Sequence, residues 1–235
     1  MGSVGAILLA AFLLLFPEKV RQLFIPSLIS YASGTLLGAA FLGLIPSAIE
    51  QISPSSALTT VLVGMVIFFI LEKFILWHHC HEVSCEARQA MGPLLLIGDA
   101  LHNFVDGVII AATFVISVPM GIGTALAVTA HEVPQEVGDF AILLDSGYSK
   151  KRAFIYNLLS SLSTLPGAIL AYVYLKDLHS VIPYVMALSA ASFIYIATVD
   201  LIPRLHRQTT LWDSVRQLVL MLAGIGTIAI FHLSW

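Results

Sequence analysis

Two six-residue motifs place metal-binding side chains inside apolar stretches of the chain. The sequence HNFVDG spans residues 102–107, and HEVPQE spans residues 131–136. Imidazole and carboxylate groups together suit divalent zinc, iron or manganese better than the soft copper(I) ion. Ionisable side chains at membrane depth are costly and usually mark the path of an ion or a substrate. The two motifs therefore predict a binding site for a divalent transition metal.

Helical spacing brings the side chains of each motif together. At about 3.6 residues per turn, four polar residues of the first segment share one helix face: Asp99, His102, Asn103 and Asp106. In the second segment two pairs of residues are four apart, His131 with Gln135 and Glu132 with Glu136. Each pair forms a stripe on the helix surface, and Asp139 extends these two neighbouring stripes. The connection at residues 117–120 is too short to separate the two helices, so they must form an antiparallel hairpin. Both motifs then lie about 15 Å from the turn, near the bilayer midplane.

The composition is that of a polytopic membrane protein. The 235 residues are 58% hydrophobic and 11% charged, whereas soluble domains have about 25% charged residues. At about 20 apolar residues per spanning helix, the chain is long enough for eight spans. We predict an all-α fold and a single integral membrane domain, residues 1–235, with spans at residues 4–16, 24–49, 56–77, 91–116, 121–144, 153–174, 181–203 and 212–233.

The basic residues predict the orientation of the spans. Of the eleven Lys and Arg residues, all but Lys176 fall on one side of the eight-span layout. Cytoplasmic loops carry the excess of these residues, so both termini are expected outside the cytoplasm. No basic patch remains for a nucleic-acid partner.

A predicted cytoplasmic loop, residues 78–90, carries five candidate metal ligands: His78, His79, Cys80, His81 and Cys85. Short His/Cys tracts often bind metal, and this loop could accept ions that leave the membrane site. A solvated loop explains the same composition equally well, so both interpretations stay open. A cytosolic location disfavours a disulfide between the two cysteines.

Spans two and seven contain similar sequences. Residues 31–46, YASGTLLGAAFLGLIP, and residues 187–203, ALSAASFIYIATVDLIP, are rich in small residues and both end in Leu-Ile-Pro. In the predicted layout the first motif ends outside and the second ends inside. This is expected for an inverted-topology repeat of spans one to three and six to eight around a central hairpin of spans four and five. Such repeats are typical of transporters.

The motifs resemble those of the ZIP (Zrt/Irt-like) metal transporters, whose fourth and fifth spans carry HNxxDG and HExPHE. The resemblance covers nearly the whole chain, including the eight-span layout and the outer termini. It implies a first metal site formed by His102, Asp106 and His131, with Gln135 at a position where relatives have His or Glu. It implies a second site that contains Asn103 and Glu132 and shares Asp106 and Gln135, while Glu136 matches the closing glutamate of the motif.

One position departs from the family pattern. Gln135 stands where the motif has its second histidine, and a neutral amide is a weaker ligand than imidazole. The sixth span also lacks the carboxylate that some relatives provide. We therefore expect one well-formed metal site and a second that is weak or absent.

The resemblance also implies a function. The chain would be a transporter without a cofactor, not an enzyme, and would move zinc, or iron, manganese or cadmium, into the cytosol across the plasma membrane. The family implies alternating access, an elevator-like shift of spans one, four, five and six, and a homodimer. Polar residues would line the ion path, with Asp99, Glu136 and Asp139 on the cytoplasmic side and Ser47 and Glu50 at the entrance.

Two other functional classes share parts of the pattern. His131 and Glu132 open like the HExxH motif of zinc metalloenzymes, but Gln135 occupies the place of its second histidine. His102 and Asp106 also fit the HxxxD pattern of cation-diffusion exporters. Those exporters have six spans and a soluble C-terminal domain, whereas this chain ends at Trp235, just past its last predicted span.

Overall fold

The computed structural model describes residues 2–14, 16–79, 85–175, 180–206 and 210–233. Within these ranges the chain is helical and contains no strand, which confirms the all-α class. The described residues form eight helices, which we number in chain order. Five of them are uninterrupted: α1 (Gly2–Leu14), α3 (Pro54–His79), α4 (Cys85–Ile116), α5 (Val118–Asp145) and α8 (Leu211–Leu233).

The remaining three helices are composite. Helix α2 consists of Glu18–Gly38, a π-helical turn at Ala39–Leu44, and Ile45–Gln51. Helix α7 consists of Ile182–Tyr195, a π-helical turn at Ile196–Leu201, and Ile202–Leu205. Helix α6 is divided by a turn into Lys150–Ser161 and Thr164–Leu175, so the predicted continuous sixth span is interrupted.

Both π-helical turns lie directly before a Leu-Ile-Pro sequence. The N–H of Ile45 bonds to the carbonyl of Ala40, and the N–H of Ile202 bonds to the carbonyl of Ala197, each five residues back. A proline inside a helix cannot donate to the carbonyl four residues earlier, and its ring crowds that carbonyl. The wider π-helical turn accommodates the proline without breaking the helix.

Six stretches of the described chain are long and apolar enough to cross a membrane: Phe24–Gln51, Pro54–Leu71, Leu96–Ile116, Lys150–Tyr174, Ile182–Leu205 and Leu211–Ile230. They correspond to α2, α3, α4, α6, α7 and α8. Helices α1 and α5 are not among these six stretches; the described part of α1 has 13 residues, and α5 carries the polar HEVPQE motif. The structure thus supports a polytopic membrane protein with at least six spanning helices.

The candidate His/Cys loop is shorter than predicted. Residues 78 and 79 still belong to α3, and α4 already begins at residue 85. Residues 80–84 lie outside the described part of the chain, and the side chains of all five candidate ligands lie outside it as well.

Helices α4 and α5 form the predicted hairpin and are joined by Ser117 alone. The Ser117 hydroxyl accepts a hydrogen bond from the backbone N–H of Met120, which caps α5. Helix α4 packs on α6, and α5 packs on α1. Likewise α2 packs on α8, and α3 packs on α7.

Glycines allow α4 and α6 to approach closely. A Cβ atom on Gly107 would overlap the carbonyl of Thr164, and one on Gly167 would overlap the carbonyl of Phe104. Small residues at such crossings let two backbones meet in a membrane, where packing rather than hydrophobicity drives helix association. This contact fixes α6 beside the first polar motif.

An apolar core fills the space between the motifs and the Ser117 turn. It is formed by α2, α3, α4, α5 and α7, and its members include Leu44, Ile109, Val128, Met186 and Phe193, each at most 2% exposed. On the opposite side of the motifs, towards the start of α4, buried carboxylates such as Asp99 and Asp139 lie among buried apolar side chains such as Val137 and Leu143. The buried carboxylates of this region thus lie on the side of the motifs away from the Ser117 turn.

Candidate metal centre

Four side chains from the α4–α5 hairpin converge on one point. His102 and Asp106 come from α4, and His131 and Glu132 come from α5. One potential ligand atom from each residue lies within 4.8 Å of the other three. We call these four residues the four-ligand cluster.

Five of the six distances between the ligand atoms are close to those of tetrahedral coordination. The two Nε2 atoms of His102 and His131 are 3.2 Å apart. Asp106 Oδ2 lies 3.8 Å from His102 Nε2 and 3.3 Å from His131 Nε2, and Glu132 Oε1 lies 3.6 Å and 3.7 Å from the same atoms. Tetrahedral zinc with bonds of about 2.0–2.1 Å places its ligands about 3.3–3.4 Å apart. A small divalent ion therefore fits with sub-ångström adjustments.

The cluster is buried and lacks hydrogen-bond donors for its carboxylates. Asp106, His131 and Glu132 are fully buried, and the His102 side chain is 20% exposed. Among the described residues, no hydrogen bond is made to either carboxylate oxygen of Asp106 or of Glu132. Burying a carboxylate without a compensating partner is costly. A bound cation would satisfy these oxygens, and two carboxylates would balance its double charge.

Backbone and aromatic contacts orient His131. Its Nδ1 atom lies 3.2 Å from the carbonyl oxygen of Ala127, one turn earlier in α5. Its ring centroid lies 6.2 Å from that of Phe193 in α7. A hydrogen bond at one imidazole nitrogen fixes the tautomer and leaves the other nitrogen for a metal. The Nε2 atom of His131 is therefore held toward the cluster.

The two amide side chains of the motifs form hydrogen bonds with Asp99. Asn103 Nδ2 lies 3.1 Å from both the backbone oxygen and Oδ1 of Asp99, and Gln135 Nε2 lies 3.2 Å from the same Oδ1. The Asn103 oxygen accepts a hydrogen bond of 3.2 Å from Thr164 Oγ1. These two residues thus form a polar layer beside the four-ligand cluster.

Glu136 also points away from the cluster, toward α6. The hydroxyl of Ser161 donates to Glu136 Oε1, and Asn157 Nδ2 donates to its backbone carbonyl at 3.3 Å. Ser161 and Asn157 are buried, as is Glu136. The sequence signalled the Ser161 hydroxyl only through the polar run SSLST at residues 160–164, and it carried no comparable signal for Asn157.

The turn in α6 places its polar groups against α4. Ser160 Oγ donates to the carbonyl of Leu96 at 3.1 Å, and Ser163 Oγ donates to the carbonyl of Ala100 at 2.5 Å. Ser161 and Thr164 lie on either side of the turn and reach Glu136 and Asn103, respectively. Helix α6 therefore supports both motifs without contributing a carboxylate.

The predicted path residues differ in their burial. Asp99 and Asp139 are 5% and 7% exposed, and both belong to the polar side. Ser47 is half-buried and Glu50 is exposed, near the end of α2. A guanidinium nitrogen of Arg204 lies near Gly138, 3.9 Å from where its Cβ would be, so a positive group flanks this side of α5.

Comparison with known proteins identifies the family. The sequence profile of the ZIP zinc transporter family matches residues 76–232. Zinc transporter ZIP13 of Pongo abelii is 34% identical over 221 residues, which are 88% of this chain and 66% of that protein. Zinc transporter ZIP10 of Danio rerio is 38% identical over 149 residues, 59% of this chain but 18% of that protein. The chain thus spans from under a fifth to about two thirds of the length of these relatives, and it belongs to the ZIP zinc transporter family.

Proposed function

We propose that the protein transports divalent transition metal ions across a membrane, with zinc as the principal substrate. The four-ligand cluster carries this proposal, because two imidazoles and two carboxylates at tetrahedral spacing suit zinc. The ZIP13 and ZIP10 relatives are named zinc transporters. Iron, manganese and cadmium are the alternative substrates. The ion is the cargo, and the proposed transport needs neither a cofactor nor an enzymatic reaction.

We propose an eight-span topology in which α1 and α5 also cross the membrane. The helix pairs support an inverted repeat. In such a repeat α1, α2 and α3 correspond to α6, α7 and α8, and α4 corresponds to α5. The contact between α2 and α8 then corresponds to the contact between α7 and α3. Likewise, the contact between α1 and α5 corresponds to the contact between α6 and α4. Both π-helical turns occupy equivalent places in this exchange, directly before Leu-Ile-Pro. The basic loops then place both termini outside the cytoplasm.

The direction of transport in the proposal is toward the cytosol. In this proposal the apolar core between the motifs and the Ser117 turn would close the outer route, and the buried carboxylates of Asp99, Glu136 and Asp139 would continue the path on the other side. The ion would enter past Ser47 and Glu50 and leave along these carboxylates. The His and Cys residues at positions 78–85 would receive it in the cytosol.

We propose alternating access by movement of α1, α4, α5 and α6 as one body against the other four helices. The contacts within this set support the grouping, since α4 packs on α5 and α6, and α1 packs on α5. Hydrogen bonds from Ser161 and Thr164 tie α6 to the hairpin. A homodimer in the plasma membrane, as the family implies, completes the proposal.

Zinc uptake into proteoliposomes tests the proposal. His102→Ala and Asp106→Ala should abolish uptake because each removes a ligand of the cluster. His206→Ala is a matched control, since His206 is exposed at the end of α7. Near-normal uptake by both cluster variants would contradict the site. Metal-dependent hydrolysis without zinc flux in wild-type protein would favour the intramembrane metalloenzyme instead.

A further inference from the structure

Asp99 bridges the two helices of the hairpin beside the four-ligand cluster. Its Oδ1 atom accepts a hydrogen bond from Asn103 on α4 and another from Gln135 on α5. Asp99 is 5% exposed, so water competes little for these bonds. The single carboxylate therefore restrains two amides: Asn103, which directly follows His102 in the sequence, and Gln135, which lies one helical turn after His131.

The hydrogen bonds also decide which end of each amide faces Asp99. A side-chain amide carries an NH2 group and an oxygen on the same carbon, and only the oxygen has lone pairs to offer a metal ion. In both residues the NH2 group points to Asp99. The Asn103 oxygen is already bonded by Thr164, so Gln135 is the amide whose oxygen could be redirected.

Gln135 lies one helical turn from His131. It follows His131 by four residues, so the two side chains lie on one face of α5. Rotation of the Gln135 side chain would therefore bring its oxygen toward the ion that His131 binds. The bond to Asp99 opposes that rotation.

We propose that Asp99 is a positioning residue that sets metal specificity by holding the Gln135 amide away from the four-ligand cluster. This inference rests on the proposed function, because it assumes that the cluster binds the transported ion. With Gln135 held, the cluster offers two nitrogens and two oxygens, which suits four-coordinate zinc. With Gln135 released, a carbonyl oxygen raises the coordination number and makes the ligand set richer in oxygen, which favours manganese.

The test compares the dissociation constants of Zn²⁺ and Mn²⁺, measured by calorimetry on the purified full chain in detergent. Asp99→Ala should lower the ratio Kd(Mn)/Kd(Zn) by about tenfold or more. Asp99→Asn keeps an oxygen that can accept the Gln135 N–H, so its ratio should stay within about threefold of wild type. The double variant Asp99→Ala, Gln135→Ala has no amide to redirect and should return to the wild-type ratio.

Several outcomes would overturn the proposal. One is an unchanged ratio in a folded Asp99→Ala protein, as judged by its elution and melting temperature. Another is an Asp99→Asn variant that behaves like Asp99→Ala, since the charge of Asp99 and not its hydrogen bond would then set the ratio. If Asp99→Ala does not fold, Gln135→Glu replaces it, because a carboxylate cannot donate to Asp99. The ratio Kd(Mn)/Kd(Zn) of Gln135→Glu should also fall below that of wild type, and an unchanged ratio would overturn the proposal.

The two proposals fail in different ways. The ratio is measured by binding, so a slower flux caused by the lost charge of Asp99 does not affect it. Wild-type protein that binds neither ion, or binds them without transporting them, contradicts the proposed function. Wild-type protein that transports zinc, with an Asp99→Ala ratio that does not move, contradicts only the role of Asp99.

Discussion

Glu132 provides the sharpest test of which residues bind the first metal ion and which belong to a second site. Resemblance to the family assigns Glu132 to a second site, whereas its Oε1 atom lies 3.6 Å and 3.7 Å from the two histidine nitrogens. Glu132→Gln keeps the shape of the side chain and removes its charge. If Glu132 belongs to the four-ligand cluster, this one change must weaken the binding of the first zinc ion.

The size of the effect follows from the geometry. An ion centred among atoms spaced as in the cluster lies about 2.1 Å from each of them. At that distance its attraction to a carboxylate is large, but the cost of keeping that carboxylate buried in the empty site offsets much of the gain. Removing one partner of a buried charge pair costs about 2–5 kcal/mol. The zinc dissociation constant should therefore rise by about 30-fold or more.

Calorimetry of the purified protein measures this change, and Glu136→Gln provides the matched control. Glu136 lies one turn further along α5 and is equally buried, but its side chain bonds to Ser161 and lies outside the cluster. Glu136→Gln should change the zinc affinity by less than about threefold. Wild-type affinity in Glu132→Gln, or a larger loss in Glu136→Gln than in Glu132→Gln, would refute the ligand assignment.

Two further substitutions test the surroundings of the site. Gln135→His offers an imidazole that can donate to Asp99 with one nitrogen and bind the metal with the other, so zinc should bind about tenfold more tightly. An unchanged metal profile in calorimetry would show that residue 135 does not reach the ion. Gly107→Ala should lower the melting temperature in detergent, because its Cβ would overlap the Thr164 carbonyl and overpacking costs about 1–3 kcal/mol. Gly226→Ala, whose Cβ meets nothing within 4 Å, should melt no lower than wild type, and equal melting of both variants would contradict close α4–α6 packing.

Hydropathy and length predicted most of the helical order. The α4–α5 hairpin follows directly from the short connection, which narrows to Ser117 in the structure. The turn in α6 was not predictable in this way, because the segment has a mean hydropathy of 1.4 and reads as one span. Its cause is tertiary, since Ser163 and Thr164 bond to groups of α4 at the turn.

Helical periodicity predicted which candidate ligands share a face, but not which ones meet. His102 and Asp106 are one turn apart whatever surrounds them. Whether Glu132 or Gln135 faces them depends on the rotation of α5 against α4, which is set by packing along the whole hairpin. The structure brings Glu132 to the cluster and Gln135 to Asp99. Sequence spacing alone contains no information about that rotation.

The net charge of the four-ligand cluster depends on whether an ion is bound, and this charge affects how easily the site could move through apolar surroundings. Asp106 and Glu132 contribute two negative charges when ionised, and neutral imidazoles contribute none, so a bound divalent ion makes the four-ligand cluster neutral. The apolar side of the site is lined by buried groups such as Val128 and Phe193, where an uncompensated charge is costly. On the proposed alternating-access mechanism, the loaded site therefore passes this layer more easily than the empty one. On that mechanism, the carboxylates of Asp106 and Glu132 would couple the movement of the hairpin to the presence of a divalent ion.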